Sequence, residues 1–91
     1  MKGTTMNVGD LRATLMKERF NPRAYSLDEQ KDEALCLRFE NGEWCVYYSE
    51  RGLETGKMCF ADETTACEYF LEKMRSDPTT KMDWKSGFSM K

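Results

Sequence analysis

Four cysteines and no histidine define the chemistry open to this 91-residue chain. Without histidine, the commonest general base is missing, and so is the usual activator of a serine or cysteine nucleophile. Cys36, Cys45, Cys59 and Cys67 form no CxxC pair. A zinc site would need all four thiolates, drawn from three predicted strands and a predicted helix, so no metal or other cofactor is expected. A disulfide framework needs an oxidising compartment. Met1–Met6 carries no apolar leader, so a cytoplasmic location is expected, with all four cysteines free and mostly buried. One cluster could act on RNA without histidine: Tyr47, Tyr48, Glu50 and Arg51 combine phenol, carboxylate and guanidinium groups. A plainer reading puts Tyr48 in the core and gives Glu50-Arg51-Gly52 to a turn. The acidic pairs Asp32/Glu33 and Asp62/Glu63 fall at a predicted loop and a predicted helix start, where capping explains them. No phosphate-binding glycine motif is present, and Gly52 and Gly56 read as turn residues. The chain is expected not to be an enzyme.

Charge points towards a partner. The net charge of −2 divides into +3 over residues 1–27, −8 over residues 28–72 and +3 over residues 73–91. An acidic middle disfavours nucleic acid as the direct ligand, because phosphate contacts need clustered Lys and Arg. It favours a basic protein, whose approach would be accelerated by long-range attraction. No apolar run approaches the roughly 20 residues that span a bilayer, and no membrane partner is expected.

The elements that must position these residues follow from periodicity. Asn7 can cap a helix whose Val8, Leu11, Leu15 and Met16 share a face, ending near Arg19–Asn21 before Pro22. Arg23–Leu27 reads as a short extended segment and Asp28–Glu33 as a charged loop. Asn41-Gly42 between alternating segments is a strong hairpin signature, since a type I′ turn needs positive φ at both positions. Its register pairs Phe39 with Trp44, Leu37 with Val46 and Leu35 with Tyr48, placing six apolar side chains on one face. Cys36, Arg38, Glu40, Glu43, Cys45, Tyr47 and Ser49 occupy the other face, which is expected to be largely uncovered. Ser49–Gly56 reads as a longer turn and Lys57–Ala61 as a returning strand. Asp62 then caps a second helix with Ala66, Cys67, Phe70, Leu71 and Met74 as its apolar stripe. The expected fold is α+β: an antiparallel meander of three or four strands with two helices on one face, in the order α-β-β-β-β-α. Residues 1–78 are expected to form one domain, a monomer, and 79–91 a mobile or loosely docked tail.

The stretch Trp44-Cys45-Val46-Tyr47-Tyr48-Ser49-Glu50-Arg51-Gly52, followed by Phe60, Glu63 and Ala66-Cys67-Glu68-Tyr69-Phe70-Leu71, with Tyr25-Ser26-Leu27 upstream, resembles a family of small bacterial immunity proteins. These are encoded beside polymorphic or contact-dependent growth-inhibition toxins. The resemblance covers roughly residues 7–76. It implies a protein that binds the cognate toxin's C-terminal domain, here a basic nuclease by charge, and blocks its active site, with no catalytic residues to carry over. A generic adaptor or regulatory binding module is the alternative, and a small histidine-free ribonuclease a further one. Tyr47, Glu50 and Arg51 are the expected centre of the partner surface, because no core role accounts for them, and an aromatic and an arginine are typical anchors. Asp28, Glu29, Asp32 and Glu33 are its expected rim. The exposed edge of the second helix around Glu63, Glu68 and Glu72 is the other candidate surface.

Overall fold

In the computed structural model, which describes residues 6–27, 29–77 and 80–81, two helices cover one side of a four-stranded sheet. Helix α1 spans Val8–Lys17. Strand β1 is Tyr25–Ser26, β2 Ala34–Glu40, β3 Glu43–Glu50 and β4 Leu53–Phe60. Helix α2 spans Glu63–Arg75. The α+β class and the element order agree with the sequence reading.

Local chemistry explains where the helices begin and end. Asn7 and Asp10 form a reciprocal capping box at the start of α1. At its end Arg19 adopts φ 64°, the Arg19 amide donates to Met16 O and the Phe20 amide to Leu15 O. That is a Schellman ending with arginine where glycine is usual, and it turns Phe20 into the core beside Leu15. Met16, expected on the buried face, is exposed, because it lies about 100° around the helix from Leu15 and about 140° from Leu11. Asp62 caps α2 by accepting from the Thr65 amide at 2.8 Å. All five residues of its predicted stripe are buried.

The hairpin register is the expected one, Phe39 opposite Trp44, Leu37 opposite Val46 and Leu35 opposite Tyr48. Leu35, Leu37 and Val46 meet Phe70, Leu71 and Met74 of α2 in a core that also takes Leu11, Leu15, Phe20, Tyr25 and Leu27. Phe39 and Tyr48, at opposite ends of the same face, are exposed, because α2 covers only its middle.

Three features depart from the sequence reading. The sheet is mixed: β1 runs parallel to β2, with Tyr25 opposite Leu35 and Ser26 opposite Cys36. A parallel neighbour requires the chain to double back, and it does so across the far side of the sheet. There the Lys31 amide reaches Cys36 Sγ at 3.4 Å, Gln30 Nε2 reaches Ser49 Oγ at 3.3 Å and the Glu33 amide donates to Ser49 O at 2.6 Å. This loop helps bury Cys36 and Ser49, so the far face is not the uncovered surface expected of it. The long turn is also absent. Strand β3 continues to Glu50 and reverses at Arg51-Gly52, where φ is 54° and 81°, the same positive pair as at Asn41-Gly42. Finally, the β3–β4 register slips by one residue between Val46 and Tyr48, a bulge at Gly56 and Lys57.

The end of α2 is tied back to α1. The Glu18 carboxylate takes a two-pronged contact from Arg75, which holds its carboxyl below the usual range. Thr80 accepts from the Asn21 amide at 2.6 Å and Lys81 bridges to Phe20, so the first residues of the expected tail join the fold. Residues 82–91 lie outside the described residues.

Leu37 has no exposure, so Leu37→Asp would place an unpaired carboxylate in the core. The expected cost is at least about 4 kcal/mol, against a total stability of roughly 5–10 kcal/mol for such a domain. Thermal melting followed by circular dichroism should show no native transition near the wild-type temperature, and a normal cooperative melt would refute the register.

Candidate functional site

Tyr47 and Tyr48 are adjacent in sequence and point to opposite sides of the sheet, so the structure separates them. Tyr47, expected at the centre of an exposed surface, is 1 % exposed. It is covered by the loop side of the sheet and by Lys57, whose ammonium lies 5.5 Å from the ring centroid. Its hydroxyl is buried without a hydrogen-bond partner. The neighbouring Arg38 guanidinium does not reach full bonding geometry, and burial pushes the phenol's pKa up. Tyr47 is therefore a packing residue, and a partner cannot reach it.

Tyr48 takes the place expected of Tyr47. It is 39 % exposed at the end of the helix-covered face, although hairpin register alone assigns it to the core. Its phenol pKa is raised first by partial burial, then by the carboxylates of Glu50, Glu33, Asp32 and Asp77. Glu50 lies on the same face of β3, two residues along. Arg51 is exposed in the turn that follows. Asp32 is brought to that turn by its Oδ1, which accepts from the Gly52 amide at 3.2 Å. Glu33 is held beside it by the hydrogen bond its backbone amide donates to Ser49 O. Four of the seven predicted partner residues, Asp32, Glu33, Glu50 and Arg51, therefore lie at one end of the sheet, at or beside the Arg51-Gly52 turn. Glu29 is exposed but lies earlier in the loop, its amide donating to Ser26 Oγ at 3.3 Å, and Asp28 lies outside the described residues. A shallow groove continues from this site between Leu35, Tyr48 and the end of α2 at Lys73, Met74 and Asp77.

The same geometry dissolves the ribonuclease constellation. Tyr47 faces away from Tyr48 and Glu50, so the four groups do not converge on one phosphodiester. Of the alternative surface on α2, Glu63 is occupied: its Oε2 accepts from the Val8 amide at 2.9 Å.

The cysteines also differ from expectation. Cys45 and Cys59 stand directly opposite one another in the β3–β4 ladder and form a disulfide. The expectation of four free thiols fails because β4 sets Cys59 directly against Cys45. Cys36 and Cys67 are free and buried. Burial raises both thiol pKa values, that of Cys67 from 9.0 to about 11, with the carboxylates of Glu63 and Asp10 adding to it.

No protein-family profile matches the chain, and no curated protein or solved structure is significantly similar to it.

Denatured without reductant, the protein should titrate with two thiols; a count of four or zero would refute the pairing. In the native state at neutral pH both free thiols should resist alkylation, being buried and protonated. A raised folded pKa stabilises below the unfolded value and loses that contribution as pH climbs through the folded one. Stability should therefore fall between pH 9 and about 11, and Cys67→Ala should reduce that fall.

Proposed function

We propose that this chain is an immunity protein: a stoichiometric inhibitor, acting in the cytoplasm, that binds the C-terminal domain of a cognate bacterial toxin and blocks its active site. The observation that carries the reading is the half-exposed Tyr48 ring set among the carboxylates of Asp32, Glu33 and Glu50. An aromatic face in a field of negative charge suits a Lys or Arg side chain of a basic partner, which it can hold by cation–π contact and ion pairing together. The resemblance of residues 7–76 to immunity proteins supplies the class of partner, and the −8 balance of residues 28–72 supplies its sign, a basic nuclease. Neither nucleic acid nor a membrane is a direct partner in this reading. Among the described residues no helix is long and apolar enough to cross a membrane. The Cys45–Cys59 bond sits uneasily with a reducing compartment. Neither cysteine lies in the proposed contact surface, so the reading does not require that bond.

The roles of the surface residues differ. Asp32, Glu33 and Glu29 lie at the rim, where screened charge acts on the rate of encounter. Tyr48, Glu50 and Arg51 lie where a partner would be desolvated, and there substitutions act on dissociation.

The test is co-expression with the toxin domain encoded beside the gene, together with binding kinetics on purified, folded variants. Wild type should protect cells. Glu33→Gln should slow association at low salt with little change in dissociation. Tyr48→Ala should speed dissociation by about tenfold or more, equivalent to roughly 1.4 kcal/mol or above. Tyr47→Phe, which removes only a buried unpaired hydroxyl, should bind normally and be no less stable. Failure to bind or protect would leave an adaptor with another partner. Binding unchanged by Tyr48→Ala, Glu50→Gln and Arg51→Ala would move the interface off this end of the sheet.

A further inference from the structure

The free edge of the sheet carries a pattern that the toxin-binding surface does not use. Strand β4 is the last strand in the order β1-β2-β3-β4, and no described element lies along its outer side. Among the described residues nothing pairs with its outer backbone donors and acceptors, and a strand so placed is a template for another strand. Two of its side chains are large, apolar and exposed: Leu53 at 70 % and Met58 at 47 %. In a regular strand these two would point to opposite faces, being an odd number of residues apart. The bulge at Gly56 and Lys57 changes this. Leu53 lies opposite Glu50, and Met58 opposite Val46, so both stand on the helix side. Glu54 lies opposite Ser49 and shares the far side with Lys57, whose ammonium it meets at 3.0 Å.

We propose that β4 pairs antiparallel with β4 of a second copy of this chain about a two-fold axis between Thr55 and Gly56. That register sets Leu53 against Met58 of the other copy on the helix side. It sets Glu54 against Lys57 on the far side, and Thr55 against Gly56 at the axis. Each contact occurs twice, as an isologous interface requires. Apolar therefore meets apolar and acid meets base, with every pair on matching faces. A shift by one residue would place Glu54 against Met58 from opposite faces and lose all of it. Gly56 has open space where a side chain would stand, so the two backbones can approach at the axis. The Cys45–Cys59 bond holds β4 to β3 and presents the edge already ordered. Bulges and edge lysines commonly discourage strand pairing. Here the bulge is what aligns the faces, and Lys57, which meets Glu40 at 2.9 Å and Glu54 at 3.0 Å in its own copy, has a further carboxylate to meet across the axis. The paired segment, Leu53–Met58, is short compared with a standard interface of about 1,600 Å², so the dimer forms only as concentration rises.

Sedimentation equilibrium across a concentration series reads this directly, because monomer mass is 10.7 kDa. Wild type should shift towards twice that mass over roughly the micromolar to millimolar range. Glu54→Lys and Lys57→Glu should each weaken self-association by about tenfold, since each turns two attractive cross-strand pairs into repulsive ones. Lys57 also covers Tyr47, so circular dichroism melts check that each variant is folded, and Lys57→Gln, which removes the charge without reversing it, should still weaken self-association if Lys57→Glu does not fold. Mixing the two single variants should restore dimers as heterodimers, and so should the double swap within one chain. Amide exchange along β4 should slow with concentration in wild type and not in the single variants. A protein monomeric at all concentrations, or a dimer indifferent to the charge swaps, would overturn the proposal. Neither outcome bears on toxin binding, which is read at low concentration with a different partner.

Discussion

Asn41 and Gly42 both hold positive φ, and that single turn decides which side chains of β2 and β3 face the helices. Side chains alternate with a period of two, so a slip of one residue would send Leu35, Leu37 and Val46 to the far side and bring Cys36, Arg38 and Cys45 under α2. No other arrangement offers the apolar stripe of α2 an apolar surface. The second turn, Arg51-Gly52, repeats the same conformation and carries the sheet onward to β4. The core is thin, as it must be in a chain of this length, and its order depends on that pairing more than on the bulk of any one side chain.

The same alternation divides Tyr47 from Tyr48 and with them the molecule's two kinds of surface. Tyr47 is sealed under Lys57 and the side of the sheet crossed by the 29–33 loop; Tyr48 emerges beyond the reach of α2. The loop performs two tasks at once. It buries Ser49 and Cys36, and in doing so it delivers Asp32 and Glu33 to the rim of the Tyr48 site. Folding and the candidate surface therefore depend on the same few hydrogen bonds.

Much of this architecture was legible in the sequence because its signals are local. Asn-Gly between alternating segments, Asp62 before a 3.6-residue stripe and Asn7 before the first helix each act within a few residues, and each forms as read. What was illegible is non-local. Nothing in Tyr25–Ser26 says whether it pairs parallel or antiparallel, and the answer depends on the path of a loop whose bonds reach Ser49 in β3. Arg51 at positive φ is a weak turn signal beside Asn or Asp, so Gly52 and Gly56 appear to bracket one long turn. The bulge hides the pairing of Cys59 with Cys45, because counting back from the expected strand gives no register. The candidate surface followed suit: Glu50, Arg51, Asp32 and Glu33 converge, while the aromatic among them is Tyr48 and not Tyr47.

The clamps on α1 have a consequence for how the chain reaches this state. Its first amides are tied to Glu63 and Thr64 at the start of α2, and Glu18 is tied to Arg75 at the end, so the two helices run parallel with both ends joined. Those bonds span 55 to 58 residues of sequence, whereas β2, β3, β4 and α2 follow one another through short connections. Closing long loops costs more entropy before any contact repays it. The continuous unit from Ala34 to Arg75 is therefore the part that can organise early, and α1 docks last, as a cover laid over a platform already in place.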